Sequence, residues 1–513
     1  MSKGFSILYR LSPPPVAGAL WGRIASCVAV GNRHFSSVHR TEPRASASVK
    51  QKIGKKGNNM KDRFGFDWSK IHGAPFWSRP QLGRRMFFRH VASAVGGYFL
   101  MPTRPMETIA KAQVATKKTA KYVIYVLMAG APSHTDTFDL KEGSWTPASF
   151  NPTSYGDVRW PQGLMPNLAN QLDSIALLRS AYAWAGVHGL MQSWVQIGRN
   201  PSSALSKVAP HIGSIVALEF NQGNNQTLPA FVALNGQPAA GSGYLPTENA
   251  PFLVNAGSAL PNTTHRDGIP RFQARYGLLQ DIDHEMRYFS DIGPAPGEMG
   301  SWNERARLMM YNSAIDNVFN FSQTEKNRYG NSGFGNACIT ARNLIQANLG
   351  TRFIQITFGS WDHHTNIYVA NTQLKPIATQ FDNGLATMIA DLKTAGLLDQ
   401  TLIVAQGEFG RTVGPPNSNG GRDHLQQQAV LFAGGGVKGG TTIGSTNATG
   451  GDTADPGWSR QRYVRPEDIE ATVYSALGID WTTVRHDDPL GRGFEYVPFS
   501  VDDLYGPVNE LWG

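Results

Sequence analysis

Cysteine is nearly absent from this 513-residue chain, which contains only Cys27 and Cys338. Cys27 lies in an N-terminal leader, so an exported product would keep a single cysteine and could form no internal disulfide bond. The body that remains is about 400 residues long, and its stability must come from burial of an apolar core, which a chain of that size can supply.

Long hydrophobic runs are also missing, because no stretch after the leader approaches the roughly 18 apolar residues of a transmembrane helix. Within the leader, a weakly apolar run at 91–101 follows Arg84 and Arg85 and precedes a small-x-small sequence at 110–112. Charged, apolar and cleavage regions in this order are typical of a twin-arginine export signal. We expect the mature chain, from residue 113, to be periplasmic or secreted without a transmembrane segment; a chance arginine pair before a buried helix is the alternative.

Acidic residues are scarce in the first 112 positions, which hold 19 Lys and Arg against four acids, a net charge of +15. Because the whole chain carries +9, the remainder carries 9 − 15 = −6. The basic balance therefore belongs to the leader, and we expect no nucleic-acid partner for the body. Residues 1–59 precede the export signal; an over-extended start, with Met60 as the true one, or a mitochondrial-type transit peptide would explain them.

Nucleotide-binding and esterase signatures are missing too, since the chain has no Walker loop and no G-x-S-x-G sequence. Gly434, Gly436 and Gly439 do spell G-x-G-x-x-G after an apolar run. The dinucleotide fingerprint needs a helix N-terminus next, to receive a pyrophosphate. The residues that follow, GTTIG at 440–444, are turn-like and β-like, so a plain glycine-rich turn is predicted.

The body does contain short apolar runs that alternate with segments of helical periodicity. Short apolar runs lie at 122–128, 174–180, 352–358, 401–406 and 428–434, and the run at 401–406 has no polar alternation, as expected of a strand buried on both faces of a sheet. The order strand, helix, strand predicts an α/β fold, a mostly parallel sheet sandwiched by helices. Residues of about 200–335, rich in Gly, Pro and Asn, are predicted to form a loop-rich insertion within the domain at 113–513.

Chemistry-bearing side chains follow three of these apolar runs. They are Asp136 after the first run, Asp362, His363 and His364 after the run at 352–358, and Glu408, Arg411, Arg422, Asp423 and His424 after the run at 401–406. The carboxyl ends of parallel strands share one sheet edge, where α/β enzymes build their sites. Carboxylates and imidazoles bind divalent cations, so these residues predict a metal site. Zinc is the expected metal, with calcium or manganese as alternatives. A salt-bridged surface loop is the competing interpretation.

Six segments, in chain order behind the export signal, carry a family resemblance: GAPSHTDTFD, GYLPTENAPF, GSWDHH, GEFGRT, GRDH and AGGGVKGG. Together they resemble the bacterial domain-of-unknown-function 1501 (DUF1501) family, placed in the alkaline phosphatase and sulfatase superfamily. The resemblance covers nearly all of residues 120–480. It implies an α/β sandwich with metal at the carboxyl edge of the sheet, and it implies no particular substrate.

The resemblance also implies metal ligands at particular positions. These fall on Asp362 with His364 or His363, on Glu408, and on the pair Asp423 and His424. The superfamily also places a carboxylate at the end of the first strand, where this chain has Ala129 and Gly130. Asp136 is the nearest acid to that position and is taken as the candidate.

The superfamily's nucleophile has no match in this chain. Sulfatase-like relatives carry Cys or Ser ten residues before a Gly-Arg pair, and ten residues before Gly198 this chain has His188. The nearby hydroxyls are Ser133, Thr135, Ser180 and Ser193, of residue types that more often serve in caps and turns. Hydrolysis would then need a metal-activated water or His188 itself.

Two functions of different classes follow. The first is an exported metal-dependent hydrolase for a small anionic ester, sulfated or phosphorylated, with His188 at the reaction centre and Arg411 or Arg422 holding the anion. The second is a non-catalytic exported binding or structural protein with a degenerate metal site. Each arginine also has a simpler interpretation, as the partner of a loop carboxylate.

Overall fold

The computed structural model describes residues 114–220, 226–288, 295–369 and 372–513. The predicted leader at 1–112, with its twin-arginine signal, lies outside these residues. Across the described ranges, no helix combines the length and the apolar character that crossing a membrane requires.

An eight-stranded sheet forms the centre of the body. In chain order its strands are β1 (Tyr122–Leu127), β2 (Ile175–Tyr182), β3 (Phe231–Leu234), β4 (Phe252–Val254), β5 (Phe353–Thr357), β6 (Thr401–Gln406), β7 (Gln427–Ala433) and β8 (Thr441–Ile443). Their order across the sheet is β8-β2-β7-β6-β1-β5-β3-β4. Only β7 runs antiparallel to its neighbours, β2 and β6; the other pairs are parallel. The predicted mostly parallel sheet is confirmed.

Helices cover both faces of this sheet. The helices of the described residues are α1 (Pro166–Ala169), α2 (His188–Ile197), α3 (Ile212–Phe220), α4 (Gly268–Tyr288), α5 (Ala295–Met309), α6 (Ser313–Phe319), α7 (Gln323–Arg328), α8 (Gly333–Ala347), α9 (Leu374–Thr394) and α10 (Pro466–Leu477). Alternate residues of β1 face opposite sides. Ile124 and Val126 pack in one core with α8 and α9, whereas Val123 and Tyr125 pack in the other with α2, α3 and α10. The predicted sandwich is therefore confirmed as well.

Local sequence explains where the covering helices begin and end. In α9, apolar residues at spacings of three and four form one buried face. Helix α10 begins with Pro466 and carries Asp468, which accepts a hydrogen bond from the amide of Arg465 at 2.9 Å and so caps the first turn. Helix α1 is a single turn, which starts at Pro166 and ends at Ala169.

The range predicted as an insertion, about 200–335, contributes to the sheet. Strands β3 and β4 lie within it and extend one edge of the sheet. Helices α4 and α5 follow and pack against each other. The glycine-rich run at 434–440 leads into β8, so the described chain offers no helix N-terminus there, in agreement with the turn predicted from the sequence.

Four two-stranded ribbons complete the described body. They pair Pro152–Tyr155 with Val158–Pro161, Gly410–Arg411 with His424–Leu425, Ser445–Thr446 with Thr453–Asp455, and Val484–Arg485 with Phe494–Glu495. The second ribbon follows β6 and brings His424 opposite Arg411. It therefore brings the GEFGRT and GRDH motifs together beyond the carboxyl end of β6.

Candidate metal centre

Chain segments beyond the carboxyl ends of two strands that flank β1 converge with the start of one helix. Asp362 and His364 lie in the loop after β5, and His424 lies in the ribbon that follows β6. Helix α2, which follows β2, begins at His188. Because β2, β5 and β6 point the same way, these segments reach the same edge of the sheet, where ligands bind in α/β folds.

Four of the side chains at this edge could hold a metal ion together. One ligand atom from each of His188, Asp362, His364 and His424 lies within 4.8 Å of every other. The Nε2 atom of His424 is 3.1 Å from Nε2 of His188 and 3.1 Å from Nε2 of His364. Asp362 Oδ1 is 3.0 Å from Nε2 of His364, 3.4 Å from that of His188 and 4.0 Å from that of His424. We call these four residues the donor cluster.

Each histidine of the donor cluster has its other ring nitrogen bound to an acceptor. Nδ1 of His188 is 2.7 Å from Oε1 of Glu408, and Nδ1 of His424 is 2.7 Å from the carbonyl oxygen of Gly186. Nδ1 of His364 is 3.0 Å from Oδ1 of Asp423. Carboxylates and carbonyls only accept, so each Nδ1 is the donor, and in a neutral ring Nε2 then turns its lone pair toward the cluster. Metal-binding histidines are usually oriented in this way.

The spacing and the charge of the donor cluster fit a divalent cation. Bonds of about 2.0–2.1 Å in a tetrahedral zinc site place the donor atoms about 3.3 Å apart, and the distances given above run from 3.0 to 4.0 Å. The carboxylates of Asp362, Glu408 and Asp423 and the guanidinium of Arg411 sum to 1 − 3 = −2 with neutral histidines. A divalent cation would balance this charge.

The ionisation of the cluster follows from its neighbours. The hydrogen bond to Glu408 raises the pKa of His188. Burial lowers the pKa of His424, and the nearby Arg411 lowers it further. Burial opposes ionisation of Asp362 as well, but the hydrogen bond and charge of Arg411 outweigh it and hold the pKa of that carboxyl below its ordinary value.

The sequence motifs assign this chain to a family. The model of the family described as "Protein of unknown function (DUF1501)" matches residues 120–497. The chain belongs to the DUF1501 family. Among curated proteins, none shows significant sequence similarity to it.

Similar solved structures are distant from this DUF1501 chain. They include a phosphonate monoester hydrolase from Silicibacter pomeroyi, at 12% identity and TM-score 0.34, over 77% of this chain and 77% of that one. A sulfatase from Pseudoalteromonas sp. has 12% identity and TM-score 0.34, over 70% and 68% of the two chains. The lipoteichoic acid synthase LtaP from Listeria monocytogenes has 11% identity and TM-score 0.33, over 74% and 76%.

Glu408, predicted as a ligand, lies behind the donor cluster in this DUF1501 structure. Its carboxylate is fully buried and accepts hydrogen bonds from the amides of Gly130 (2.9 Å) and Ala131 (3.1 Å), from Nε2 of Gln192 (3.0 Å) and from Nδ1 of His188. Gly130 and Ala131 both have positive φ, 102° and 59°, which turns two successive amides to one carboxylate. Glu408 thus holds His188 in place.

Three further ligand candidates contact other side chains. Asp423 bonds to His364, as described, and Asp136 forms a buried ion pair with Arg422, Oδ2 to Nε at 2.6 Å. His363 is buried beside the cluster but is not a member of it, and burial lowers its pKa to about 4. Of the two alternatives at 363 and 364, the structure brings His364 to the other donor atoms.

The two arginines predicted to hold an anion differ in what they face. All five N–H groups of Arg422 have acceptors away from the cluster: Asp136 twice, the hydroxyl of Tyr368, and the carbonyls of Thr412 and Gly414. Arg411 reaches the donor cluster, with Nη1 3.2 Å from Nε2 of His364 and Nη2 bonded to Oδ1 of Asp362. Of the two, only Arg411 is placed to meet a ligand.

The hydroxyls considered as nucleophiles bond elsewhere. Ser180 donates to the carbonyl of Pro456 and Ser193 to that of Gly189, at 2.8 and 2.9 Å. Ser133 and Thr135 are buried and lie 3.4 Å apart. None of these four hydroxyls has a hydrogen bond to a residue of the donor cluster in the part of the chain that the structure describes.

Two contributors to the site were not predicted from the sequence. Gln192 donates a hydrogen bond to Glu408. Because Gln192 lies four residues after His188, the two side chains share one face of α2, and this spacing could have been recognised in the sequence. The carbonyl of Gly186 orients His424, and a backbone group leaves no trace in a residue pattern.

Proposed function

We propose that Asp362, His364 and His424 bind one divalent metal ion, with zinc as the preferred metal. We also propose that the chain is a metal-dependent hydrolase for phosphate or sulfate esters, with His188 beside the metal. The observation that supports this is the convergence of three oriented Nε2 lone pairs and one carboxylate oxygen. Lone pairs 3.1 Å apart repel unless a proton or a cation lies between them. Two imidazole ligands favour zinc over calcium, which prefers oxygen ligands.

A bound zinc ion would supply Lewis acidity and a lowered pKa for water in an open coordination position. The chain's own residues would handle the proton. The Nε2 atom of His188 accepts it from the attacking water and returns it to the leaving group, while Glu408 stabilises the imidazolium through Nδ1. The Asp-His pair of serine hydrolases divides these two roles in the same manner.

The exposure of the donor cluster suits a substrate that approaches from solvent. The side chains of Asp362 and His364 are 44% and 41% exposed, whereas those of His188 and His424 are 27% and 28% exposed. Behind them, Glu408 and Arg411 are buried. Exposed ligand side chains supported by buried neighbours are expected of a site in which side chains must stay fixed while a ligand exchanges.

One observation favours the alternative, a non-catalytic metal-binding protein. If His188 were a fourth ligand with Asp362, His364 and His424, the tetrahedral shell of zinc would be complete, as in structural sites. The position of His188 Nε2, 3.4 Å from Oδ1 of Asp362, suits a fourth ligand as well as an acid/base. The two functions therefore differ in what the loss of His188 does to metal affinity.

The test is a screen of aryl phosphates, phosphodiesters and sulfate esters with the purified chain carrying zinc, manganese or calcium. Metal-dependent turnover of at least one ester class would support the hydrolase. Bound metal without turnover throughout the screen would favour the binding protein, and absence of bound metal would refute both.

A further inference from the structure

The guanidinium of Arg411 is fixed beside the donor cluster by backbone carbonyls. Its side chain is 1% exposed. Nε donates to the carbonyl of Ala131 at 2.9 Å, Nη1 to that of Arg422 at 3.1 Å, and Nη2 to that of Gly130 at 2.5 Å. Three of its five N–H groups are therefore used to hold the side chain in place, and the remaining two face the donor cluster.

Those two remaining N–H groups bind the atoms that a metal ion would need. One, on Nη1, lies 3.2 Å from Nε2 of His364, and the other, on Nη2, bonds to Oδ1 of Asp362. A carboxylate has several lone pairs and can accept from an arginine while it binds a cation. An imidazole Nε2 has one lone pair, and the other nitrogen of His364 already donates to Asp423.

Metal binding by His364 must therefore displace Arg411 from Nε2. The guanidinium cannot withdraw far, because the three carbonyls hold it from behind. A buried, charged N–H without an acceptor is destabilising, because the group has lost its hydration and gained no partner. The released N–H points at the cluster, so a ligand oxygen at the metal would be its new acceptor.

We propose that Arg411 couples the binding of a tetrahedral oxyanion to the binding of metal. Without metal, Arg411 is satisfied internally by His364 and Asp362. With metal bound, one N–H of Nη1 becomes a donor for a phosphate or sulfate oxygen, a charge-assisted hydrogen bond. This inference rests on the metal site of the proposed function and specifies the order of binding, metal first and anion second.

Coupling of this kind is reciprocal in binding free energy, so the anion must raise metal affinity by the same factor. Inorganic phosphate and phenyl phosphate serve as probes, the second to show whether an ester group is accepted as well as the free anion. Calorimetric titrations compare the EDTA-treated and zinc-loaded forms of the full chain and of Arg411→Lys, with Arg266→Lys as the control, since Arg266 is 84% exposed.

We expect the zinc-loaded chain to bind phosphate and the metal-free chain to bind it at least about tenfold more weakly. Arg411→Lys should lower the phosphate affinity of the zinc-loaded form about tenfold and leave that of the metal-free form unchanged. Lysine lacks the planar fork that Arg411 uses. Equal phosphate affinity with and without zinc, or an unchanged Arg411→Lys, would overturn the coupling and leave the metal site standing. Failure to bind zinc would overturn both proposals.

A second measurement avoids the risk that Arg411→Lys does not fold. In the unsubstituted chain labelled with 15N-arginine, Arg411 and Arg422 are equally buried, so both should give slowly exchanging guanidinium signals. Zinc and then phosphate should each shift the Arg411 signals, while those of Arg422, whose five N–H groups are all engaged elsewhere, stay in place. Arg411 signals that do not respond to phosphate after zinc would overturn the coupling.

Discussion

The Nε2 atoms of His188 and His424 lie 3.1 Å apart, and the Nδ1 of each ring is already bound to an acceptor. Neither ring can turn its lone pair away without breaking the bond behind it. Glu408 holds the first ring and the carbonyl of Gly186 holds the second. Two lone pairs kept face to face require a proton or a cation between them, and this requirement underlies the predictions about metal binding below.

Replacement of Asp362 by alanine should abolish metal binding and, with it, ester hydrolysis. The variant removes the one carboxylate of the donor cluster and leaves three imidazoles beside the positive charge of Arg411. Metal content is measured after dialysis. Asp399→Ala is the control, because Asp399 is exposed and precedes the amino end of β6, at the opposite edge of the sheet. Metal retained by Asp362→Ala would remove this residue from the site.

Replacement of His188 by alanine should leave metal bound and reduce turnover by about a hundredfold or more, as expected when a general acid/base is lost. His486→Ala is the matched control, since His486 is exposed and outside the donor cluster. Both metal affinity and kcat are measured. Loss of metal from His188→Ala would make His188 a ligand and favour the non-catalytic function, and unchanged turnover would refute its role in the reaction.

Stability should fall as the pH rises toward 8, because of Glu470. This residue is buried in α10 and accepts a hydrogen bond from Tyr474 at 2.7 Å, and burial raises its pKa from 4.5 to about 8. Between those two values the folded state holds a proton that the unfolded state releases. The free energy of unfolding therefore decreases by up to about 1.4 kcal/mol per pH unit in that window.

The comparison that isolates this effect is Glu470→Gln, which cannot ionise. Denaturant unfolding at intervals from pH 5 to pH 8 should show a shallower loss of stability in the variant than in the unsubstituted chain. Parallel pH profiles for the two proteins would show that Glu470 does not titrate in the folded state as described.

Replacement of Arg84 and Arg85 together by lysine should keep the protein in the cytoplasm, since planar recognition of arginine is not reproduced by lysine. Cell fractionation measures the outcome. Replacement of Arg79 by lysine, outside the arginine pair, is the control. Export of the doubly substituted chain at the normal level would show that the pair is no export signal.

Much of the fold was predictable because buried strands leave a strong signal. The apolar runs at 401–406 and 122–128 became β6 and β1, which are buried at every residue. The direction of β7 was not predictable in the same way, since an apolar run reads alike whether its neighbours are parallel or antiparallel. Strand direction depends on connections that the pattern does not encode.

The candidate site was predictable to the level of the sheet edge, and no further. Asp362, His364 and His424 follow strands and were expected to meet there. That Glu408 would turn to the amides of Gly130 and Ala131 depends on two positive φ values that local sequence does not specify, least of all at an alanine. The division of carboxylates into donor atoms and supports therefore required the structure.

The most direct test of the metal site is elemental analysis of the purified chain after growth in medium replete with zinc, manganese and calcium. The donor cluster predicts about one equivalent of divalent metal per chain, with zinc as the preferred metal. X-ray absorption should then show imidazole nitrogen and carboxylate oxygen as the nearest atoms, as four-coordinate zinc requires. No bound metal, together with no rise in melting temperature when these ions are added, would contradict it.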